Sequence, residues 1–327
     1  MRRMLLSKPG QPLALDEAPD AQPAAGEIAI DVVACGVCRT DLQIADGDLA
    51  AHRLPIVPGH QIAGRVAAIG ADVGGWSIGA PAGAGWLASA DGTCVFCKEG
   101  RENLCERATF TGWDRDGGYA TRAIVRADFA FPLPDGFDPV SAAPLLCGGV
   151  IGYRSLVRSG IRPGGRLGLY GFGASALLAL QVARHWGCRV FVATRSEKER
   201  ARALAMGAEW AGAYADAPPD PLDAAVTFAP SGDVVVAALR ALARGGTVAI
   251  NAIHLDRVPE FSYDLLWWEK SLVSVANYTR ADAIALLELA KTIPIQTRYE
   301  THPLDQANAA LDRLRSGLVD GSAVLVV

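Results

Sequence analysis

Positive charge is scarce in this 327-residue chain: 31 lysines and arginines against 35 aspartates and glutamates leave a formal net charge of -4. Without a basic excess there is no electrostatic footprint for nucleic acid. No unbroken apolar run approaches the ~20 residues that a membrane span requires. The opening Met1-Arg2-Arg3-Met4-Leu5-Leu6 runs into Ser7-Lys8-Pro9-Gly10 before an apolar stretch of signal length can form. Internal repeats and a low-complexity tail are also missing. Seven cysteines, an odd number and mostly at metal-like spacing, argue against a disulfide framework and for thiolate ligation in a reducing compartment. These absences predict a cytoplasmic protein with no nucleic-acid and no membrane partner.

Half of the residues are hydrophobic and a fifth are charged, which is the composition of a well-packed globular enzyme. The length predicts two domains. Residues 1 to about 80 hold short β-like runs broken by Gly and Pro, such as Glu27 to Ala34 and Gly64 to Gly70, and predict a strand-rich, partly barrel-like domain. Its loops carry Ala34-Cys35-Gly36-Val37-Cys38-Arg39-Thr40-Asp41 and Val57-Pro58-Gly59-His60-Gln61; Leu145-Leu146-Cys147 follows much later. Cys38, His60 and Cys147 are three borderline or soft ligands, and three protein ligands with a fourth position open is what a catalytic zinc needs. A helical turn from Arg39 to Ala45 would favour a thiolate at Cys38 through its dipole. From Pro139 the periodicity turns helical, with Cys147 inside that run.

A second domain begins at Arg166-Leu-Gly-Leu-Tyr170-Gly171-Phe172-Gly173-Ala174-Ser175-Ala176, where an apolar strand enters a Gly-rich turn and then a helix over Ala174 to Trp186. This is the dinucleotide fingerprint with Ala in place of its last Gly. Strands at Arg189 to Ala193, Ala224 to Ala229 and Thr247 to Ile250 alternate with helices at Ser196 to Met206 and Asp233 to Ala243, the pattern of a parallel sheet. Backbone amides at Gly173, Ala174 and Ser175 would cradle a pyrophosphate. After the second strand the chain offers Thr194-Arg195-Ser196 where an acid would suit NAD, so NADP(H) is expected, with NAD(H) as the other candidate.

The G-x-C-x-T-D run, the P-G-H run, a cysteine cluster and the later Gly-rich turn, in that order, resemble the zinc-dependent alcohol dehydrogenases of the medium-chain dehydrogenase/reductase superfamily, in particular cinnamyl alcohol dehydrogenase-like proteins. The resemblance runs from about residue 25 to the C-terminus. It implies an α/β chain with a GroES-like β-rich catalytic domain at 1–149 and 282–327 and a Rossmann doubly wound parallel-sheet domain at 150–281. It implies that Thr40 hydrogen-bonds the substrate oxygen and that Asp41 orients the zinc-binding histidine. Asp91, Cys94, Cys97 and Cys105 match its structural zinc lobe, with Asp91 where the family has cysteine. Carboxylate oxygen is an acceptable zinc ligand. Trp86 falls near the place of a pocket-lining aromatic, and Trp113 lies in the returning loop.

Two positions depart from the best-known relatives. Gln61 stands where they have Glu after the zinc histidine, and Gln43 where many have a proton-relay histidine; His52 is the nearest substitute in sequence. The resemblance implies hydride transfer between NADP(H) or NAD(H) and a small alcohol or its aldehyde or ketone, by a homodimer or homotetramer. Reduction of C=N or activated C=C bonds is the alternative chemistry, and a non-catalytic nucleotide-binding protein is the third reading.

Overall fold

The computed structural model describes every residue except 135, 253, 254 and 256. The chain divides into one unit of Met1–Cys147 with Thr279–Val327 and another of Gly148–Tyr278. These divisions fall slightly before the expected 149/150 and 281/282. At the second, Thr279 caps helix Arg280–Thr292, its hydroxyl accepting from Asp282 N at 3.2 Å while Asp282 Oδ2 accepts from Thr279 N at 2.8 Å.

In the first unit the frame is a seven-stranded sheet. Its order is Tyr299–Pro303, Ser322–Val326, Glu27–Val37, Gln61–Ile69, Pro81–Ala84 and Ala130–Pro132, with Arg122–Arg126 also paired to Glu27–Val37. The 11-residue strand Glu27–Val37 carries register shifts between Ala29 and Ile30 and between Val32 and Ala34. Such bulges bend a strand and increase its twist, which lets the sheet curl. Ile28, Ile30, Ile62, Val66, Leu311 and Leu325 are buried in one cluster inside it. Each is worth roughly 1.5–3 kcal/mol against exposure. The C-terminal strand pairs antiparallel with Glu27–Val37, Ala323 facing Val37, so the end of the chain completes the scaffold that carries Cys38.

The second unit is a six-stranded parallel sheet in the order Trp210–Gly212, Arg189–Ala193, Arg166–Tyr170, Leu222–Thr227, Leu242–Ile250 and Ser271–Ser274. Numbered along the chain this is 3-2-1-4-5-6, the doubly wound arrangement whose ligand crevice lies where the order reverses. Strands buried on both faces read as continuous apolar runs, as Arg189–Ala193 does: four of its five residues are buried.

The run from Pro139 is not one helix. It forms helix Pro139–Ala142, a 3-10 turn Ala143–Leu146, and helix Gly148–Ser159, with Cys147 between them at φ -134 and ψ -71. Pro144 removes an amide donor, and Gly148 and Gly149 weaken helix propensity, so regular geometry is lost at Cys147. An 18-residue stretch within Pro139–Ser159 has a mean hydropathy of 1.4, and 56% of it is buried inside the protein.

Candidate metal centres and dinucleotide turn

Asp41 is the hub of the first site. Its Oδ2 accepts from Cys38 N at 2.8 Å and from the Tyr119 hydroxyl at 3.2 Å, while its Oδ1 accepts from Gly59 N at 3.1 Å and pairs with His60 Nδ1 at 3.0 Å. The bond to Cys38 N follows from the sequence alone, because Asp41 is the third residue of helix Arg39–Asp46 and reaches back to the residue before it. The bond to His60 fixes the ring so that Nε2 is left for another partner. Gly59 lies at φ +96, and a Cβ there would sit 2.3 Å from the Tyr119 ring, so only glycine can bring His60 this close to Asp41.

The Sγ atoms of Cys38 and Cys147 and a ring nitrogen of His60 lie within 4.8 Å of one another. Zinc bonds of about 2.0–2.3 Å in a tetrahedron separate ligand atoms by roughly 3.3–3.8 Å, so the trio has the right scale and donor chemistry. The three side chains polarise one another. A hydrogen bond from Cys147 pulls the Cys38 thiol well below the ordinary cysteine value, against burial and with help from His60. The same bond, with burial, pushes Cys147 well up. Burial works against the His60 cation, but the charge and hydrogen bond of Asp41, followed by Cys38, outweigh it and push His60 up to about 10. Binding of a dication would displace these protons.

Thr40 is buried beside this trio, its Oγ1 3.9 Å from Cys38 Sγ. Gln61 is buried on the strand that follows His60, opposite Gly36. Gln43 is half-buried on the helix that carries Thr40 and Asp41. The indole of Trp86 meets His60 edge-on at 5.0 Å between centroids and stacks on Phe110 at 5.1 Å and on Trp113 at 5.9 Å. Beyond Trp113 comes His52, stacked at 3.7 Å, with its Nδ1 2.6 Å from Asp114 Oδ1. Thus Trp86 and Trp113 form one aromatic wall that starts at His60, and His52 is at its far, exposed end.

Asp91, Cys94, Cys97 and Cys105 also converge, with ligand atoms within 4.8 Å of one another. Asp91 Oδ1 accepts from Thr93 N at 2.7 Å and Cys94 N at 2.9 Å; Oδ2 is held by Arg107 Nε at 2.9 Å and Nη2 at 2.8 Å. The backbone N–H groups of Cys94 and Thr93 keep the carboxyl well below the usual carboxylate range, with Arg107 adding to them. Three hydrogen-bond donors and the nearby Arg107 Nη2 already surround this carboxylate, so ligation of a metal by Asp91 competes with the guanidinium on Oδ2.

In the second unit, Gly171 has φ +93 and a Cβ there would lie 3.0 Å from Ala229 N, which enforces the turn. At Gly173 no atom of the described residues lies within 4 Å of such a Cβ. That open cradle fits a phosphate approaching the first amides of helix Ala174–His185, whose cap is Gly173. Ser175 lies one residue inside the helix.

At the end of the second strand the Thr194 hydroxyl donates to Glu199 Oε2 at 2.8 Å, Arg200 Nη1 bonds Thr194 O at 3.1 Å, and Ser196 caps helix Glu197–Ala205. Arg195 is exposed. Burial pushes the Tyr214 hydroxyl up, while the Arg195 charge and a hydrogen bond with Thr194 pull the other way. A carboxylate therefore does stand here. It is Glu199, five residues past Thr194 and brought back by the helical turn, beyond the strand end where the sequence pattern offers an acid no place. Tyr119 and Arg107 were missed because each reaches its partner across a long stretch of chain.

Residues 24–135 match the alcohol dehydrogenase GroES-like domain family and residues 174–292 the zinc-binding dehydrogenase family. The chain is 47% identical over 312 residues to a protein named a probable alcohol dehydrogenase, AdhA, of Mycobacterium tuberculosis, covering 94% of this chain and 90% of that one. It is 32% identical over 311 residues to an alcohol dehydrogenase of Geobacillus stearothermophilus, covering 92% and 91%. Among solved structures, the cinnamyl alcohol dehydrogenase SbCAD4 of Sorghum bicolor matches with a TM-score of 0.90 at 25% identity, over 99% of this chain and 97% of that one. A cobalt- and zinc-bound thermostable alcohol dehydrogenase from Pyrobaculum aerophilum matches at 0.90 and 27%, over 100% and 99%.

Proposed function

Because the chain belongs to the zinc-dependent alcohol dehydrogenases of the medium-chain dehydrogenase/reductase superfamily, we propose that it interconverts a small primary or secondary alcohol with its aldehyde or ketone at Cys38, His60 and Cys147. The observation that carries this reading is the convergence of those three ligand atoms from three distant stretches onto one point. Zinc held there supplies Lewis-acid polarisation of the alcohol or carbonyl oxygen, and a nicotinamide supplies or accepts the hydride.

The chain's own residues then divide the remaining work. Asp41 holds His60 in the tautomer that leaves Nε2 available. The Thr40 hydroxyl hydrogen-bonds the substrate oxygen and moves its proton. Gln43 can accept and donate hydrogen bonds next to Thr40 but has no titration near neutral pH. Gln61, buried and neutral, adds no negative charge to the two thiolates, which keeps the centre electrophilic. Trp86 and Trp113 line the substrate pocket and exclude water from it.

Gly171, Gly173, Ala174 and Ser175 hold the cofactor's pyrophosphate, and Thr194, Arg195 and Ser196 its adenosine ribose, with NADP(H) preferred through Arg195 and Glu199 working against that preference. Asp91, Cys94, Cys97 and Cys105 hold a structural zinc. The catalytic domain is Met1–Cys147 with Thr279–Val327, and Gly148–Tyr278 is the dinucleotide-binding domain. Seven free thiols, five of them in the two metal-like clusters, favour a cytoplasmic setting, and the family relationship favours a homodimer or homotetramer.

The test is turnover with NADPH and NADH over a panel of alcohols, aldehydes, ketones and cyclic imines, with and without chelator. Chelator-sensitive turnover of an alcohol or carbonyl pair is expected. Turnover confined to imines or enals, or indifferent to chelator, would overturn the reading.

A further inference from the structure

The carboxylate of Asp41 is fully buried and receives four donors, three of which come from the elements that carry Cys38 and His60. The fourth does not. The Tyr119 hydroxyl donates to Asp41 Oδ2 at 3.2 Å from a segment 78 residues away in sequence. Tyr119 has no exposed surface, and its ring fills the space that Gly59 leaves open, while its amide donates to Pro58 O at 3.0 Å. The side chain is thus clamped on one side by the backbone of the P-G-H run and on the other by the carboxylate.

A buried carboxylate with an unmet lone pair costs free energy and turns towards whatever donor remains. Without the tyrosine hydroxyl, Oδ2 would be held by Cys38 N alone, and the plane of the carboxylate that aims the His60 ring would lose one of its two constraints on that oxygen. We propose that Tyr119 is a positioning residue for the metal centre: its hydroxyl locks Asp41, and Asp41 in turn locks the imidazole that ligates the metal. The proposal rests on the zinc reading of Cys38, His60 and Cys147. It assigns Tyr119 no contact with substrate.

Direct partners of metal ligands, as Asp41 is of His60, typically change metal affinity by 10- to 100-fold when removed; Tyr119 acts one partner further out, through a hydrogen bond worth about 1 kcal/mol, or roughly 5-fold. Tyr119→Phe keeps the ring that packs against Gly59 and removes only the hydroxyl. The experiment follows the rate at which Co2+ is lost to a chelator from the cobalt-exchanged full chain, read by the part of the thiolate-to-cobalt absorption that Cys147→Ala abolishes so that cobalt in the Asp91 lobe is not counted, in the parent, Tyr119→Phe, Asp41→Asn and the double variant.

Loss is expected to be roughly 5-fold faster in Tyr119→Phe than in the parent, and no faster in the double variant than in Asp41→Asn. That second comparison separates a role through Asp41 from simple packing of the ring. An unchanged rate in Tyr119→Phe, or the same acceleration in both backgrounds, overturns the role of Tyr119 while leaving the metal centre intact. A parent protein with no thiolate-to-cobalt absorption that Cys147→Ala alters overturns the zinc reading itself, and the role of Tyr119 with it.

Discussion

Arg107 holds Asp91 through two nitrogens on one carboxylate oxygen, at 2.9 Å from Nε and 2.8 Å from Nη2, although Asp91 sits among three cysteines as though it were the fourth ligand. The guanidinium is mostly exposed and can swing away, whereas the two backbone amides on Oδ1 cannot. Metal analysis of the parent should give about two zinc ions per chain, the catalytic one and that of the lobe. Asp91→Ala should lower this to about one, and Asp91→Cys should hold the second zinc more firmly because Arg107 no longer competes for the ligand. Two firmly held zinc ions in Asp91→Ala would show that the carboxylate is not a ligand.

Cys147 joins Cys38 and His60 at the point where the helical run breaks. Cys147→Ala should therefore leave the fold and nucleotide binding in place and remove activity by at least 10³-fold, in line with loss of the main electrostatic contribution. Circular dichroism and cofactor titration check the first half, steady-state turnover the second. Near-normal turnover would sink the metal mechanism.

Gln43 offers an amide where a titrating group would speed proton exchange with solvent. Alcohol oxidation by the parent is expected to be slow at neutral pH and to rise towards alkaline pH. General acid-base assistance is worth 10²- to 10⁴-fold when it is limiting, so Gln43→His should raise the neutral rate by tenfold or more and flatten the profile. Superimposable profiles of parent and variant would refute this, and would point to His52 or solvent as the proton's route.

Arg195 is exposed, so its pairing with a 2′-phosphate is screened and should be worth about 1 kcal/mol, roughly 5-fold. Arg195→Ala should lower the NADPH/NADH ratio of kcat/KM by about that factor. Glu199→Gln should move the ratio the other way, since it removes a negative charge beside Thr194. If neither variant shifts the ratio, cofactor choice is made elsewhere.

Glu102 is 5% exposed and its Oε1 accepts from Arg280 N at 2.8 Å and Nε at 3.2 Å. Burial alone would raise its carboxyl, but the Arg280 amide and guanidinium outweigh this and hold it below the usual range. A depressed carboxylate stabilises the folded state above its unfolded value near pH 4.3 and loses that contribution as the pH falls through the folded value. Glu102→Gln should cost about 1–3 kcal/mol at pH 7 and progressively less below pH 4. Urea unfolding at the two pH values measures it, and a gap that widens on acidification would reverse the assignment.

What the sequence determined by itself was local or near-local. The strand-turn-helix at Arg166 to His185 is legible because apolar alternation, glycines and helix periodicity lie side by side, and Asp41 is legible as a cap because it is three residues from Cys38. Donor types at Cys38, His60, Cys147 and the Asp91 lobe were legible as chemistry, since few other uses gather those residues at that spacing. Only the tertiary structure decided which atoms meet. Tyr119 reaches Asp41, and Arg107 reaches Asp91, through folding of the chain back on itself, a term absent from any window of residues. Glu199 comes to Thr194 by one turn of helix after a strand, so a search confined to the strand end passed over it. The break at Cys147 has local causes, Pro144 before it and Gly148-Gly149 after it, but apolar periodicity continues across them, so the sequence shows the weak point without showing that the thiol there turns towards Cys38 and His60.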